Sequence, residues 1–240
     1  FFRLHYSLNN AVVSIVGDLK VAEAKKILEK YFEHLPVRPL EESAITAEPE
    51  QTGERRIQVV CDAEPGMVMG YHKPTVPDFT DYVFDVIDSL LSSGRTSRLY
   101  KHLVLDKKNA VSVETFNGFP GTRYPNLFVI KVLPSKSSTY DDVEKSVYTQ
   151  IEALKHGAIA QEELDKVKKQ LKTDFIHKLQ SNAELAGVLS YYATVCNDWR
   201  YLEKHLETIE KITAVDVQSV ARQYLVDKNK TIAYLVKENK

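Results

Sequence analysis

The sequence predicts an α+β fold, a two-layer arrangement in which a mixed, mostly antiparallel sheet carries helices mainly on one face. Three observations predict it. Short β-branched runs recur along the chain, and two of them, AVSVETF (110–116) and LFVIKVL (127–133), flank a turn-rich loop as an antiparallel pair does. Amphipathic stretches of helical period fill most of the rest. The 240 residues are 43% hydrophobic with a formal net charge of −1, enough apolar material for a sizeable core and too little charge to suggest a nucleic-acid or membrane partner.

The elements read in order as follows. AVVSIV (11–16), closed by Gly17-Asp18, predicts a buried strand and a turn. Val21, Ala24, Ile27, Leu28, Tyr31, Phe32 and Leu35 repeat at helical spacing, and Pro36 stops that helix. Residues 37–55 hold two prolines and five glutamates without a sustained period, which reads as an exposed linker. Strands follow at 56–61 and 66–72, then a helix over 78–91 and a further helix over 98–106. After the 110–116 and 127–133 pair come helices at 141–155, 161–179, 183–195, 200–211 and 214–225, and a last strand at 230–237. The expected core is Ile57, Val59, Phe84, Ile87, Leu91, Leu99, Leu103, Val113, Phe128, Ile130, Val132, Ile151, Leu154, Leu171, Ile232 and Leu235.

One strand and one helix cannot bury a core alone, so residues 1–36 read as the tail of a preceding domain, 37–55 as linker and 56–240 as a complete domain. An internal similarity agrees with a repeat. YSLNNAVVSIV (6–16) and YLVDKNKTIAYLV (224–236) each place Tyr, Leu and an Asn-containing turn before a β-branched strand, the second turn being two residues longer.

Chemistry-bearing motifs are sparse. None of the seven histidines has another at i+3 or i+4, so neither H-E-x-x-H nor H-x-x-E-H is present and no helix offers two imidazoles to one zinc ion. His34 and His156 suit helix C-termini. Cys61 and Cys196 form no ligand set and read as two buried free thiols. Asp141-Asp142 and Glu162-Glu163 fit helix starts, where acids stabilise the dipole. The lysines of KVKKQLKTDFIHK (166–178) fall on the solvated face opposite Leu164, Val167, Leu171, Phe175 and Leu179.

The stretch LLSSGRTSRLYKHLV (90–104) is the one that invites a site. A phosphate cradle needs more glycine than it has. The physical reading is a helix stop and restart: Gly94 ends one helix in a left-handed conformation, Ser97 or Thr96 caps the next, Leu99 and Leu103 face inward, and Arg95 and Arg98 are solvated or paired with carboxylates.

Taken together, SSGRTSRLYKHLV followed by AVSVE, the opening FFRLHYSLNNAVVSIVGDLKVAEAKKILEKYFEHLP, and IEALKHGAIAQEELDKVKKQL resemble the pitrilysin/insulinase-type zinc metallopeptidases, the inverzincins, in the order that family shows them. Ser93, Gly94, Arg95, Ser97, Arg98 and Tyr100 make up its turn-helix motif. The resemblance implies two similar α+β domains around a peptide chamber, with zinc held by H-x-x-E-H in the first domain and the glutamate there acting as general base. This sequence resembles the second, non-zinc domain. In some members that half gives an Arg and a Tyr to the scissile peptide; here Val104 and Val111 stand at those places and cannot donate hydrogen bonds. The implied function is a non-catalytic domain that walls the chamber and docks on a zinc-bearing domain of the same chain or of a partner subunit. Peptide substrate would be met through the complex, zinc would belong to the preceding domain, and the parent would hydrolyse peptide bonds. Relatives with this turn point toward the bacterial envelope or periplasm. Two other readings stand beside it: a structural subunit resembling respiratory-complex core proteins, and an unrelated α+β binding module.

Overall fold

The computed structural model describes residues 2–39 and 48–237; the middle of the expected linker, 40–47, and the last three residues of the expected domain lie outside them. The chain divides into two compact units, one holding residues 1–50 and 175–202, the other 51–174 and 203–240.

The larger unit is built on a sheet in the order β1-β5-β2-β4-β3. Its strands are β1 (Arg55–Val60), β2 (Gly66–Lys73), β3 (Ala110–Phe119), β4 (Asn126–Pro134) and β5 (Lys230–Val236). β1 pairs with β5 in parallel and every other neighbouring pair is antiparallel, the mixed sheet that the sequence predicts. Helices α3 (Phe79–Ser92), α4 (Tyr140–His156) and α8 (Ala214–Tyr224) bury one face of it. That face carries Met67, Met69 and Tyr71 of β2, Phe128, Ile130 and Val132 of β4, Val113 of β3 and Ile232 of β5, which register directly across from one another. Phe84, Ile87 and Leu91 of α3 and Val147, Ile151 and Leu154 of α4 close over them.

Local chemistry sets the helix ends. Thr139 with Asp142 and Thr213 with Asp216 form reciprocal capping boxes at α4 and α8, so Asp142 is the helix-start acid its position predicts. Asp78 accepts from the Thr80 amide to start α3. Helices α5 (Gln161–Lys178) and α7 (Tyr201–Lys211) begin or end in this unit and send Leu164, Val167 and Ile209 into its core.

The smaller unit contains α1 (Phe2–His5), a 3-10 turn at Leu8–Asn10, α2 (Val21–Phe32) and α6 (Asn182–Val195). The expected buried strand at 11–16 is corrected: these residues form no ladder among the described residues, and Val12, Val13 and Ile15 are exposed.

Four further expectations are corrected. Ile57 and Val59 are about half exposed, because the register puts Arg56 beside Ile232 and Gln58 beside Tyr234 on the helix-covered face and turns the two apolar side chains to the other. Leu171 and Leu235 are only half-buried. Cys61 is exposed at the end of β1 and Cys196 half-buried after α6; neither is bridged. The expected helix over 98–106 is a π-helix from Tyr100 to Asp106, in which the Lys107 amide donates to the carbonyl of His102, five residues back.

The correction at Ile57 is testable. Ile57→Thr is expected to change stability by no more than about 0.5 kcal/mol. Ile232→Ala should cost about 2–5 kcal/mol, since its side chain is fully buried. Urea denaturation of both variants checks the contrast.

Candidate functional site

The turn after α3 forms as the sequence predicts, with one change in its capping. Gly94 is left-handed, with φ +79°, just past the last helical residue. Ser97 is buried, and its hydroxyl donates back to the Gly94 carbonyl at 2.7 Å instead of capping the following helix. Thr96 accepts from Lys166 Nζ at 2.6 Å. Arg98 makes a two-pronged pair with Glu163, Nε to Oε1 at 2.8 Å and a terminal nitrogen to Oε2 at 2.6 Å, so the start of α5 is tied to the turn. Ser93 and Arg95 are exposed, and Tyr100 packs against the core. Val104 also packs on the core, while Val111 is an exposed residue at a β-bulge in β3. The motif is a joint whose functional groups point at each other.

Two polar clusters lie elsewhere. At the β1/β5 side of the sheet, Glu144 of α4 accepts from both terminal nitrogens of Arg56 at 2.5 and 3.0 Å, from Tyr234 at 2.6 Å and from Tyr148 at 2.7 Å. Burial opposes its charge, but these four donors outweigh burial and hold the carboxyl down at about 2. Lys230, 1% exposed, joins this group through Tyr148, Asp227 and Glu54. Every charge here has its counter-charge, so the cluster fastens strands to helix and leaves nothing free to act on a substrate.

The second cluster is a stripe of carboxylates on α3, Asp81, Asp85 and Asp88, facing β3. Asp81 forms a buried ion pair with Lys73. Asn117 donates to Asp85 Oδ1 at 2.7 Å and to the Asp81 carbonyl at 3.1 Å. Burial first, then the neighbouring Asp81 charge, pushes the Asp85 carboxyl up to about 7. Burial pushes Asp88 up to about 6 against the Thr115 hydrogen bond. The spacing i, i+4, i+7 was visible in the sequence, but attention to the apolar positions of the same helix passes it by. Glu144 and Arg56 carried no comparable signal, because nothing local pairs residues that far apart.

The other face of the sheet is the remaining candidate surface. Ile57 and Val59 of β1, Ala233 and Leu235 of β5, Val68 of β2 and Phe116 of β3 lie on it, opposite the helix layer. Ile57, Val59, Val68 and Phe116 remain exposed. Among the described residues no group of three or more His, Cys, Asp or Glu is placed to hold a metal ion, and Asp81 and Asp85 of α3 are engaged with Lys73 and Asn117. The described residues do not fit a zinc site. No helix of the described residues is long and apolar enough to cross a membrane.

Comparison with known proteins decides the family. A family profile described as the peptidase M16 inactive domain matches residues 1–171. The chain belongs to the peptidase M16 inactive-domain family. It is 30% identical over 241 residues to the zinc protease PqqE of Helicobacter pylori, covering 98% of this chain and 53% of that protein. The crystal structure of a protease from Helicobacter pylori superposes with a TM-score of 0.87 at 29% identity, over 97% of this chain and 57% of that one. The peptidase M16 inactive domain from Pseudomonas fluorescens shares the fold, with a TM-score of 0.76 at 18% identity over 93% of this chain and 52% of that one. The chain therefore spans a little over half the length of these relatives. The resemblance read from the three stretches together thus led to the right family, and the M16 inactive-domain fold is the α+β architecture that the sequence predicts.

Two outcomes are expected. A Cβ at Gly94 meets no atom within 4 Å, so Gly94→Ala should cost only the left-handed backbone penalty, about 1–2 kcal/mol in a denaturant melt, and Gly94→Asn less. Asp85 titrates near 7 when folded against about 3.9 when unfolded, so the native state binds more protons between those values. Its contribution to stability is intact below about pH 4 and is lost as pH rises through 7. Asp85→Asn should therefore melt higher than wild type at pH 8, with the gap closing toward pH 4.

Proposed function

We propose that this chain is the non-catalytic C-terminal domain of a pitrilysin-like zinc peptidase, docking on a zinc-bearing domain and walling the chamber where the peptide is held. The observation that carries this is the sheet's second face. It presents Ile57, Val59, Val68 and Phe116 to the outside, while Arg56 and Arg98 are paired internally with Glu144 and Glu163. A face of this kind, largely apolar with the exposed Glu114–Lys131 pair beside Val68, suits an extended peptide or the surface of a neighbouring domain. Membership of the M16 inactive-domain family, and similarity to a protein called a zinc protease over about half its length, support the reading.

The chemistry of peptide hydrolysis then belongs outside these residues. A zinc ion in the preceding domain would supply the activated water. This chain's side chains would exclude bulk water and offer apolar contact, with Val104 and Val111 adding no hydrogen bond to the scissile peptide. The contribution is to substrate binding more than to the chemical step.

In the full-length protein, Val68→Asp is expected to raise KM for a peptide substrate severalfold with zinc content unchanged. The 240-residue chain alone is expected to show no zinc-dependent turnover. Zinc-dependent turnover by the isolated chain, surviving controls for contaminating proteases, would overturn the proposal. So would unaltered kinetics in both Val68→Asp and Ile57→Asp.

A further inference from the structure

The seam between α3 and the β3–β4 hairpin is short of hydrogen-bond donors. Asp81, Asp85 and Asp88 stand along it on α3, and Lys73 of β2 meets them, paired with Asp81. Asn117 of β3 gives its amide hydrogens to α3, to Asp85 Oδ1 at 2.7 Å and to the Asp81 carbonyl at 3.1 Å. Asp88 Oδ1, Asn117 Oδ1 and Asn126 Oδ1 are buried there without a hydrogen-bond partner among the described residues, and all three are acceptors. Asn126 is only 4% exposed, stands across from Lys73, and shares the helix-covered side of β4 with Phe128 and Ile130. A buried acceptor left without a donor is costly. A carboxylate only accepts hydrogen bonds, whereas a protonated carboxyl also donates one. A proton is the smallest occupant that supplies what this seam lacks.

Asp85 is the acid suited to carry it. Burial, then the Asp81 charge, pushes its carboxyl up to about 7, and being half-buried it can exchange a proton with water. The groups around it are committed. Lys73 donates to Asp81 and to the Pro74 carbonyl. Thr115 of β3 is engaged with Ser92 and the Asp88 carbonyl. Glu114 lies on the other face of that strand, beside Lys131. From α8, also packed on α3, Tyr224 meets Phe84, Arg222 donates to the Lys155 carbonyl and Asp216 caps its own helix. His205 of α7 stands against Tyr82, with ring centroids 5.5 Å apart.

We infer that one proton, held between the side chains of Asp85 and Asn117, latches the end of β3 and the hairpin tip to α3, and that its loss frees them. Protonated, Asp85 accepts from Asn117 Nδ2 and gives the Asn117 carbonyl the donor it lacks. Ionised, it adds a charge beside Asp81 with Lys73 already matched, so water enters to solvate it and the seam parts. The segment that yields is built to do so. β3 is an edge strand with β4 as its sheet neighbour, its ladder slips between Asn117 and Phe119, and Gly118 turns the chain with φ +92°. Beyond it the tip is tied at Thr75, whose hydroxyl donates to the Thr122 carbonyl. Phe116 and Phe119 are exposed on this strand, so the latch sets the sheet's edge in acid and loosens it on the alkaline side. The latch lies inside the larger unit and does not depend on the docking of another domain.

Trypsin cleavage after Arg123, at the exposed tip, reads the latch in the full-length protein. Cuts after the exposed Lys107 and Lys136, on either side of the hairpin, serve as references and cancel the protease's own pH dependence. A carboxyl near 7 in the closed seam and in the ordinary range once open favours closure below 7 and loses that preference above it. Between about pH 5.5 and about pH 8.5 the Arg123 cut should therefore gain at least about tenfold on the references. Asp85→Asn, an uncharged stand-in for the protonated acid, should keep the cut slow throughout. Asn117→Ala should make it fast even at the acid end, and His205→Gln should leave the rise intact. A ratio that stays flat in the wild type overturns the inference, whether no site speeds up or every site does, the latter being loss of the whole fold. So does a rise that survives in Asp85→Asn or vanishes in His205→Gln.

Discussion

The sheet of the larger unit depends on one strand, β5, which pairs with a strand on each of its sides. β1 has no other neighbour in the sheet, and β2 would become an edge without it. The pairing joins residues far apart in the chain, Arg55 with Thr231 and Gly66 with Leu235, so it is made only after the whole domain has been synthesised. Buried backbone groups left without partners cost free energy comparable to lost hydrogen bonds, which makes the arrival of this last strand the event that closes the core. It brings Ile232 into the core, and it delivers Tyr234 to Glu144 and Lys230 to Asp227 and Glu54.

The charge distribution follows from that closure. Arg56 faces the helix layer because β1 runs parallel to β5 in a register that places it beside Ile232. Glu144 meets it there, with two tyrosine hydroxyls completing the carboxylate's partners. An ion pair of this kind adds little net stability over a packed apolar alternative, but losing Arg56 leaves Glu144 buried without its counter-charge. The network therefore acts chiefly to make one register right and its neighbours costly. A shift of one residue would put Arg55 or Ile57 opposite Glu144 and turn the apolar residues of β1 the wrong way. The exposure of Ile57 and Val59 is the other side of the same arrangement: the face that Arg56 avoids is the face they occupy.

Much of this was legible in the sequence, and what was not has identifiable causes. Helical period located α2 to α8 to within a few residues, because those helices owe their place to one apolar stripe each. The glycine turn was readable because a left-handed residue after an apolar helix leaves few alternatives. β1 was readable as a strand but not as to its facing: in RRIQVV either alternate set can point inward, and the usual preference for apolar residues gave the wrong one. The answer lay in Glu144, on a helix distant in sequence. The π-helix at Tyr100–Asp106 had no local signal, since its pattern of apolar residues also fits an α-helix. The buried acids on α3 were spaced as one stripe, yet solvated acid stripes look the same in sequence and only β3, with Asn117 and Thr115, makes this one unusual.

Functionally, the chain combines satisfied charges with an available apolar sheet face. Arg98 is held by Glu163, Asp81 by Lys73, and Glu144 by three side chains, so these groups are occupied in holding elements together. That division agrees with a domain that shapes a space in which another domain's metal does the chemistry. The most direct test of this central claim is the zinc content of the 240-residue chain after loading with zinc and exhaustive dialysis, measured beside the full-length protein. The account expects the full-length protein to retain one zinc per chain and the 240-residue chain to retain far less. Stoichiometric zinc on the 240-residue chain, lost when one of its histidines is replaced, would contradict it.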